Sequence, residues 1–199
     1  MRKIGILLAL LTTALTTAVA APVKYTVQTQ LENVNVMTVE SETDIENFTG
    51  RTNQVSGTVN FDAAARTGSA SITVNGKSIS TGVTPRDGHM RGKDWLNFDA
   101  VPDIKFVTTS VKWVKDTTYE VKGNLTLNGV TKPVTTTATV KLTPANNTTR
   151  AMKIAGDALA ISTKFNIKLS DFNVDHASIK AGRVNNTLPI TLKFIASNE

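Results

Sequence analysis

The chain contains no cysteine among its 199 residues and only two histidines. The missing thiols exclude disulfide bonds, cysteine nucleophiles and thiolate-bound metal sites. His89 and His176 lie far apart in the sequence, and no metalloprotease, hydrolase, phosphate-loop or dinucleotide motif accompanies either of them. Aromatic residues make up 6% of the chain and the basic residues form no stripe, which argues against nucleic-acid binding. Catalysis therefore has little support, and nucleic-acid binding has none.

Long apolar runs are also missing, except at the N-terminus. Arg2 and Lys3 precede the small and apolar run Ile4–Leu11, and Ala18-Val19-Ala20 has the A-x-A form of a cleavage site. The run is shorter than the roughly 20 residues that span a bilayer. We therefore predict a Sec-type signal peptide over residues 1–20, cleavage after Ala20, and a periplasmic or secreted protein.

The remaining residues 21–199 number 199 − 20 = 179, and loss of two basic residues lowers the net charge from +6 to +4. A chain of this length buries enough surface to fold as one domain without disulfides. The weak positive charge allows a transient contact with an anionic membrane surface. However, lysines spread along the chain are more typical of an ordinary solvated surface.

Apolar and polar residues alternate with a period of two through most of the chain after Val23. Tyr119, Val121 and Leu125, for example, alternate with polar or charged residues, and helical spacing appears nowhere over a comparable length. This pattern is typical of antiparallel strands with one dry and one wet face. Asn128-Gly129 predicts a two-residue hairpin between two such runs. About eight strands leave unpaired edges unless the sheet closes, so we predict an all-β, up-and-down antiparallel barrel, with a two-sheet sandwich as the alternative.

The alternation stops between Gly82 and Pro102, where charged, histidine and aromatic residues crowd together. We predict a short helical insertion near residues 84–98, running through Trp95 to Phe98, as the single non-β insertion, at the mouth of the barrel. Such a segment would act as a lid or plug. Alternatively, Trp95 and Phe98 only cap the core.

Four motifs in sequence order resemble the YceI-like family, and the resemblance extends over roughly Tyr25 to Phe194. The motifs are Val55-Ser56-Gly57-Thr58-Val59 with Phe61; Arg86-Asp87-Gly88-His89-Met90-Arg91 with Trp95-Leu96 and Pro102-Asp103-Ile104-Lys105-Phe106; Tyr119 to Val134; and Ser170-Asp171-Phe172. The resemblance implies an extended, lipocalin-like periplasmic barrel that holds a long isoprenoid or similar amphiphilic lipid in an apolar tunnel. It implies no catalytic residue, no metal, and no cofactor apart from the lipid.

Some positions depart from the family pattern. Gln30–Val36 lacks the histidine usual after the first strand, while Asn97, Asn128 and Asn173 replace an aspartate, a histidine and a glycine. The first change puts a head-group contact from that region in doubt. Asn173 is a mild change because asparagine tolerates the left-handed conformation.

Two sets of residues are candidates for lipid contact. Those predicted to face the tail are Val59, Phe61, Ile72, Val74, Tyr119, Val121, Leu125, Val140, Leu159, Ile161, Phe165, Ile190, Leu192 and Phe194. Those predicted to meet a polar or phosphorylated head are Arg86, His89, Arg91 and Trp95, because guanidinium groups suit phosphate oxygens. The alternatives are that the first set is ordinary core and that Arg86 pairs with Asp87 or Asp94.

The leading hypothesis is thus a lipid-binding or lipid-carrying barrel, either a monomer or a homodimer. The second is a structural or interaction protein of the envelope, related to stress, with a filled interior. An enzyme using Asp87 and His89 is a distant third, and we expect His176 to lie in a solvent-exposed turn.

Overall fold

Residues 21–198 are described by a computed structural model, so the predicted signal peptide lies outside the described residues. The ten strands are β1 (Val23–Val27), β2 (Val36–Ser41), β3 (Phe48–Thr52), β4 (Val55–Asp62), β5 (Thr67–Asn75), β6 (Asp103–Lys115), β7 (Thr118–Leu127), β8 (Val130–Thr143), β9 (Ala158–Lys168) and β10 (Thr187–Ser197). The helical segments are α1 (Thr84–Arg91), α2 (Asn147–Ala151), α3 (Ala177–Lys180) and two 3₁₀ turns, Gly76–Ser78 and Leu169–Phe172.

The strands close into a barrel. They form one antiparallel sheet in the order β1-β4-β5-β6-β7-β8-β9-β10-β2-β3, and β1 also pairs with β10. Eight strands, β1 and β4 to β10, therefore complete a ring that leaves no free edge between them. The predicted all-β antiparallel barrel of about eight strands is confirmed, and the sandwich alternative is wrong.

The β2–β3 hairpin extends the wall on one side. β1 pairs with the end of β10, whereas β2 pairs with its middle, from Ile190 to Lys193. β3 continues outward from β2, and its Arg51 forms a bridge with Ser80. The hairpin thus lies between β10 and the segment that follows β5, and it pairs with both. It brings the loop between β2 and β3 beside α1.

The turn between β7 and β8 forms as predicted. Asn128 and Gly129 are its two residues and have φ angles of 50° and 73°, as a two-residue hairpin turn requires. The Asn128 side-chain nitrogen donates a hydrogen bond to the Phe172 carbonyl oxygen at 3.2 Å. Asn173, at the position of the family's glycine, has the left-handed φ of 60° that we expected it to tolerate.

The two ends of the barrel differ. We call the end with α1 and the β7–β8 turn the mouth, and we call the half beside it the open half. The other half, the packed half, is filled by side chains such as Phe61 and Tyr119, whose rings meet edge-to-face with centroids 5.8 Å apart. A small second core of Leu31, Ile154 and Ala158 accompanies α2 at this end. The alternation in β7 is confirmed, since its inward residues are buried and its outward ones are not.

The helical insertion is shorter than predicted. α1 begins with Pro85 in its first turn and ends at Arg91, so Trp95 to Phe98 fold as turns and not as helix. Two glycines, Gly88 and Gly92, weaken helix formation here. Phe98 is fully buried, and its ring lies where a Cβ of Gly76 would be. The segment is also not the single non-β insertion, because α2, α3 and the 3₁₀ turns interrupt the strands elsewhere.

Candidate functional site

A cavity of about 680 Å³ occupies the open half of the barrel and opens beside α1. Its volume lies in the range of roughly 300–1,000 Å³ typical of small-ligand sites. Inward-facing side chains of five strands dominate its wall: Ile72, Val74, Ile104, Phe106, Leu125, Leu127, Phe165, Ile167, Leu188, Ile190 and Leu192. Met37 and Val39 of β2 add to it. A space lined in this way favours an apolar occupant over water.

The deep end of the cavity carries two polar groups. Thr136 of β8 lies opposite the buried Val121, and Thr163 of β9 lies opposite the buried Ala138, so both point inward. Their hydroxyl oxygens are 2.8 Å apart, and each hydroxyl also lies in hydrogen-bond range of a backbone carbonyl. These bonds satisfy the hydroxyls within the wall. Neither threonine was predicted, because threonine occupies inward and outward positions alike in β8 and a polar residue breaks the apolar alternation of β9.

The predicted tail-contacting residues divide between the two halves. Six of the fourteen line the cavity: Ile72, Val74, Leu125, Phe165, Ile190 and Leu192. The other eight belong to the surrounding hydrophobic core and do not line it: Val59, Phe61, Tyr119, Val121, Val140, Leu159, Ile161 and Phe194. Alternation identifies the inward face, but it carries no information on depth along the barrel axis. Contact between the six and a lipid tail stays a prediction.

The predicted mouth residues are also partly brought together. Arg86, His89 and Trp95 line the cavity near its opening, whereas Arg91 does not. The partner of Arg86 is neither Asp87 nor Asp94. Its Nη2 lies 3.0 Å from Oε1 of Glu46, and its guanidinium stacks on the ring of Phe48 at 4.4 Å. Both partners come from the β2–β3 hairpin, and neither contact had been predicted.

Asp87 connects α1 to the segment that precedes it through hydrogen bonds. Its carboxylate accepts hydrogen bonds from the Ser80 hydroxyl at 2.7 Å, the Thr81 hydroxyl at 2.7 Å and the Thr81 backbone N–H at 2.8 Å. Burial raises the pKa of Asp87, but these hydrogen bonds and the charge of Arg91 outweigh it and leave the pKa below its ordinary value. A carboxylate held in this way serves as a lock for the loop. The structure shows no hydrogen bond between it and His89.

The second histidine lies at the mouth and not in open solvent. His176 is half-buried, and its ring stacks on Trp95 with centroids 4.1 Å apart and planes inclined by 27°. Its Nδ1 accepts a hydrogen bond from the Ser178 backbone N–H at 3.1 Å, which caps α3. The expectation of a solvent-exposed His176 is therefore wrong. The protection comes from Trp95, which lies 176 − 95 = 81 positions earlier in the chain.

Six further residues at the mouth were not among the predicted site residues. Glu46, Phe48, Met90, Leu96, Arg183 and Val184 all line the cavity near its opening. Met90 and Leu96 belong to the quoted motif around Arg86, so their place in it was a usable signal for them. Glu46 and Arg183 arrive through the long-range pairing of β2 with β10, and no local signal marks them.

Residues 21–198 contain neither a candidate metal cluster nor a candidate membrane-spanning helix. No group of three or more histidine, aspartate or glutamate side chains in this range is placed to hold a metal ion. None of the helices in the same range is long and apolar enough to cross a membrane.

The family model of the YceI-like domain matches residues 25–196 of the chain. Among curated relatives, a UPF0312 protein of Yersinia pestis is 44% identical over 103 residues, which are 52% of this chain and 50% of the relative. A UPF0312 protein of Yersinia enterocolitica is 38% identical over 126 residues, or 63% of this chain and 62% of the relative. The chain thus spans about half to three-fifths of the length of these relatives.

Solved structures show the same fold. BcnA of Burkholderia cenocepacia superposes with a TM-score of 0.72 and 25% identity, over 86% of this chain and 99% of that one. A polyisoprenoid binding domain from Saccharophagus degradans, implicated in plant cell wall breakdown, superposes with a TM-score of 0.64 and 16% identity, over 89% and 99% of the two chains. At that identity the second likeness shows the fold alone. Together with the closed barrel and its motifs, the match over residues 25–196 shows that this chain belongs to the YceI-like domain family.

Proposed function

We propose that the protein is a non-catalytic binding protein that holds the tail of a long isoprenoid or similar amphiphilic lipid inside the barrel. The observation that carries the proposal is the apolar cavity of about 680 Å³ in the open half. The tail would lie along Ile72, Leu125 and Ile190, and the polar head would remain at the mouth near Arg86. The structural likeness to the polyisoprenoid binding domain from Saccharophagus degradans supports the same class of ligand.

The energetics favour long tails. Each methylene transferred from water contributes about 0.8 kcal/mol, so a tail of about ten gains roughly 8 kcal/mol before costs. Association and ligand ordering cost about 4–15 kcal/mol. Short chains therefore exchange freely, whereas longer ones are retained. We expect a retained lipid to co-purify with the protein.

The predicted signal peptide supports a periplasmic or secreted carrier, which would meet its lipid at a membrane surface. The alternative of an envelope scaffold with a filled interior has no observation in its favour, because the open half contains a cavity. Asp87 is engaged by Ser80 and Thr81, so the pair with His89 that an enzyme would need gains no support either.

Native mass spectrometry and organic extraction of the purified protein test the proposal. We expect one long-chain amphiphile per barrel. Ile190→Trp, which places an indole in the cavity, should lower the lipid content several-fold. Lys193→Trp, on the outer face of the same strand, is the matched control and should leave it unchanged. A folded protein that purifies without lipid and binds no added long-chain alcohol would contradict the proposal.

A further inference from the structure

The carboxylate of Glu46 lies between two arginines at the mouth. Its Oε1 is 3.0 Å from Nη2 of Arg86, and its Oε2 is 3.5 Å from Nη2 of Arg183. The three residues come from the β2–β3 loop, from α1 and from the segment after α3. All three line the cavity. The opening is therefore bordered by two guanidinium groups that share a single anion.

The two arginines are suited to bind an anion other than Glu46. Arg86 is pre-oriented, because its guanidinium stacks on Phe48 and its side chain is only 28% exposed. Arg183 is 62% exposed and can adjust to a larger group. Guanidinium groups bind carboxylate and phosphate oxygens in a two-pronged geometry. Glu46 occupies the position that such an oxygen pair would take.

Glu46 can leave this position without unfolding its loop. The Thr43 backbone N–H donates to Oδ1 of Asn47 at 2.8 Å, and the Thr43 hydroxyl donates to the backbone carbonyl of Glu46 at 3.0 Å. These bonds hold the loop through its backbone and through other side chains. Departure of the Glu46 carboxylate therefore breaks its two ion pairs and changes its side-chain rotamer, but it leaves these loop bonds in place.

We propose that Arg86 and Arg183 bind the anionic head of the lipid, a phosphate or carboxylate, in exchange for Glu46, so that the protein prefers anionic amphiphiles to neutral ones with the same tail. This inference rests on the proposed function, because the tail must enter the adjacent cavity. Glu46 acts as a tethered competitor with a high effective concentration. A free anion displaces it poorly, whereas a lipid adds the energy of tail burial.

The test compares three probes: geranylgeranyl diphosphate, geranylgeraniol, which has the same tail and no charge, and inorganic diphosphate. Affinities are measured by displacement of a fluorescent lipid from the wild-type protein and from three variants. For Glu46→Gln we expect the preference for the diphosphate lipid over the alcohol to rise about tenfold, as removal of one competing charge-assisted hydrogen bond predicts. Arg183→Gln should reduce that preference by a similar factor. Glu42→Gln removes the same charge from the same loop at an exposed position that does not line the cavity, and it should change nothing.

The outcomes separate the competing explanations. If Glu46→Gln strengthens binding of lipid and alcohol equally, Glu46 only closes the mouth and the inference is wrong. If inorganic diphosphate competes as well as the lipid does, the arginines form a free-anion site unconnected with the tail, which is also contrary to the inference. Equal binding of the alcohol and the diphosphate lipid, with no effect of Arg183→Gln, would leave the proposed function intact and overturn this inference. Failure of every probe with a tail would overturn both.

Discussion

Most strands of the barrel run through both halves with the same alternation, yet one half is packed and the other contains a cavity. In the packed half, Phe61 of β4 and Tyr119 of β7 meet edge-to-face although their strands are not neighbours, so their rings cross the interior. In the open half, the ring of Phe106 lies against Gly123 on the adjacent β7, and the ring of Phe98 lies against Gly76. At both contacts the ring takes the room that a Cβ on the glycine would occupy. The position of small residues, more than the number of apolar ones, determines where the space remains.

The largest expected effect is on the free energy of unfolding, which should fall more for a truncation in the packed half than for one in the open half. Phe61→Ala should lower the free energy of unfolding by about 3–5 kcal/mol, because it leaves a void among close-packed neighbours. Phe165→Ala, at a half-buried position on the cavity wall, should cost only about 1–2 kcal/mol, because that ring already borders empty space. Urea unfolding of both variants without lipid measures the difference. Equal losses would show that the open half is as closely packed as the other.

A methyl group added at Gly123 should fill part of the cavity in the open half. An alanine Cβ there would overlap the ring of Phe106 and come within 2.6 Å of the Val107 carbonyl oxygen. We expect Gly123→Ala to cost about 1–3 kcal/mol, as over-packing does. It should also turn the Phe106 ring into the cavity and weaken lipid binding. Adding Phe106→Leu to this variant should restore much of the binding, whereas unchanged binding in Gly123→Ala alone would show that the ring does not limit the space.

Replacement of Asp87 should have a smaller effect on the free energy of unfolding, because its contacts are confined to the mouth. Asp87→Asn weakens three hydrogen bonds and should cost about 1–2 kcal/mol. Because the folded-state pKa of Asp87 is depressed, its contribution is fully present above the ordinary value of about 3.8 and is lost as the pH falls below it. The wild type should therefore lose stability faster than the Asn variant as the pH falls below the ordinary value of about 3.8, as measured by urea midpoints. Parallel pH curves would mean that Asp87 titrates alike in the folded and unfolded states.

The sequence predicted the architecture better than the site because the two depend on different distances along the chain. Alternation and the Asn128-Gly129 turn are local signals, so the strands, their inward faces and the closed barrel followed from them. The depth of the cavity depends on which inward residues face each other across the barrel. Neither the crossing of Phe61 with Tyr119 nor the position of Gly123 beside Phe106 can be seen within one strand.

The mouth shows the same limit. Arg86 and Trp95 were found because the motif around them is dense in charge and aromatic residues. Glu46 and Arg183 were not, since they reach Arg86 only after β2 pairs with β10. The short β2–β3 hairpin and α3 have weak local patterns, and tertiary contacts determine where they lie. The family motifs therefore identify the barrel more securely than they identify the groups that meet a ligand.

The smallest expected effect concerns the stack of Trp95 on His176, which joins the segment after α1 to α3 across the mouth. Ring pairs of this kind contribute about 0.5–1.5 kcal/mol beyond their buried area. A double-mutant cycle with Trp95→Leu and His176→Leu should therefore give a coupling energy of that size in urea unfolding. The stack should also slow the escape of lipid through the mouth, so either single variant should release bound lipid several-fold faster in stopped-flow displacement. Trp113→Leu replaces a tryptophan that does not line the cavity, and this control should release lipid at the wild-type rate. A measurable coupling energy with unchanged release rates would assign the stack to loop stability alone and place the barrier to lipid exchange elsewhere at the mouth.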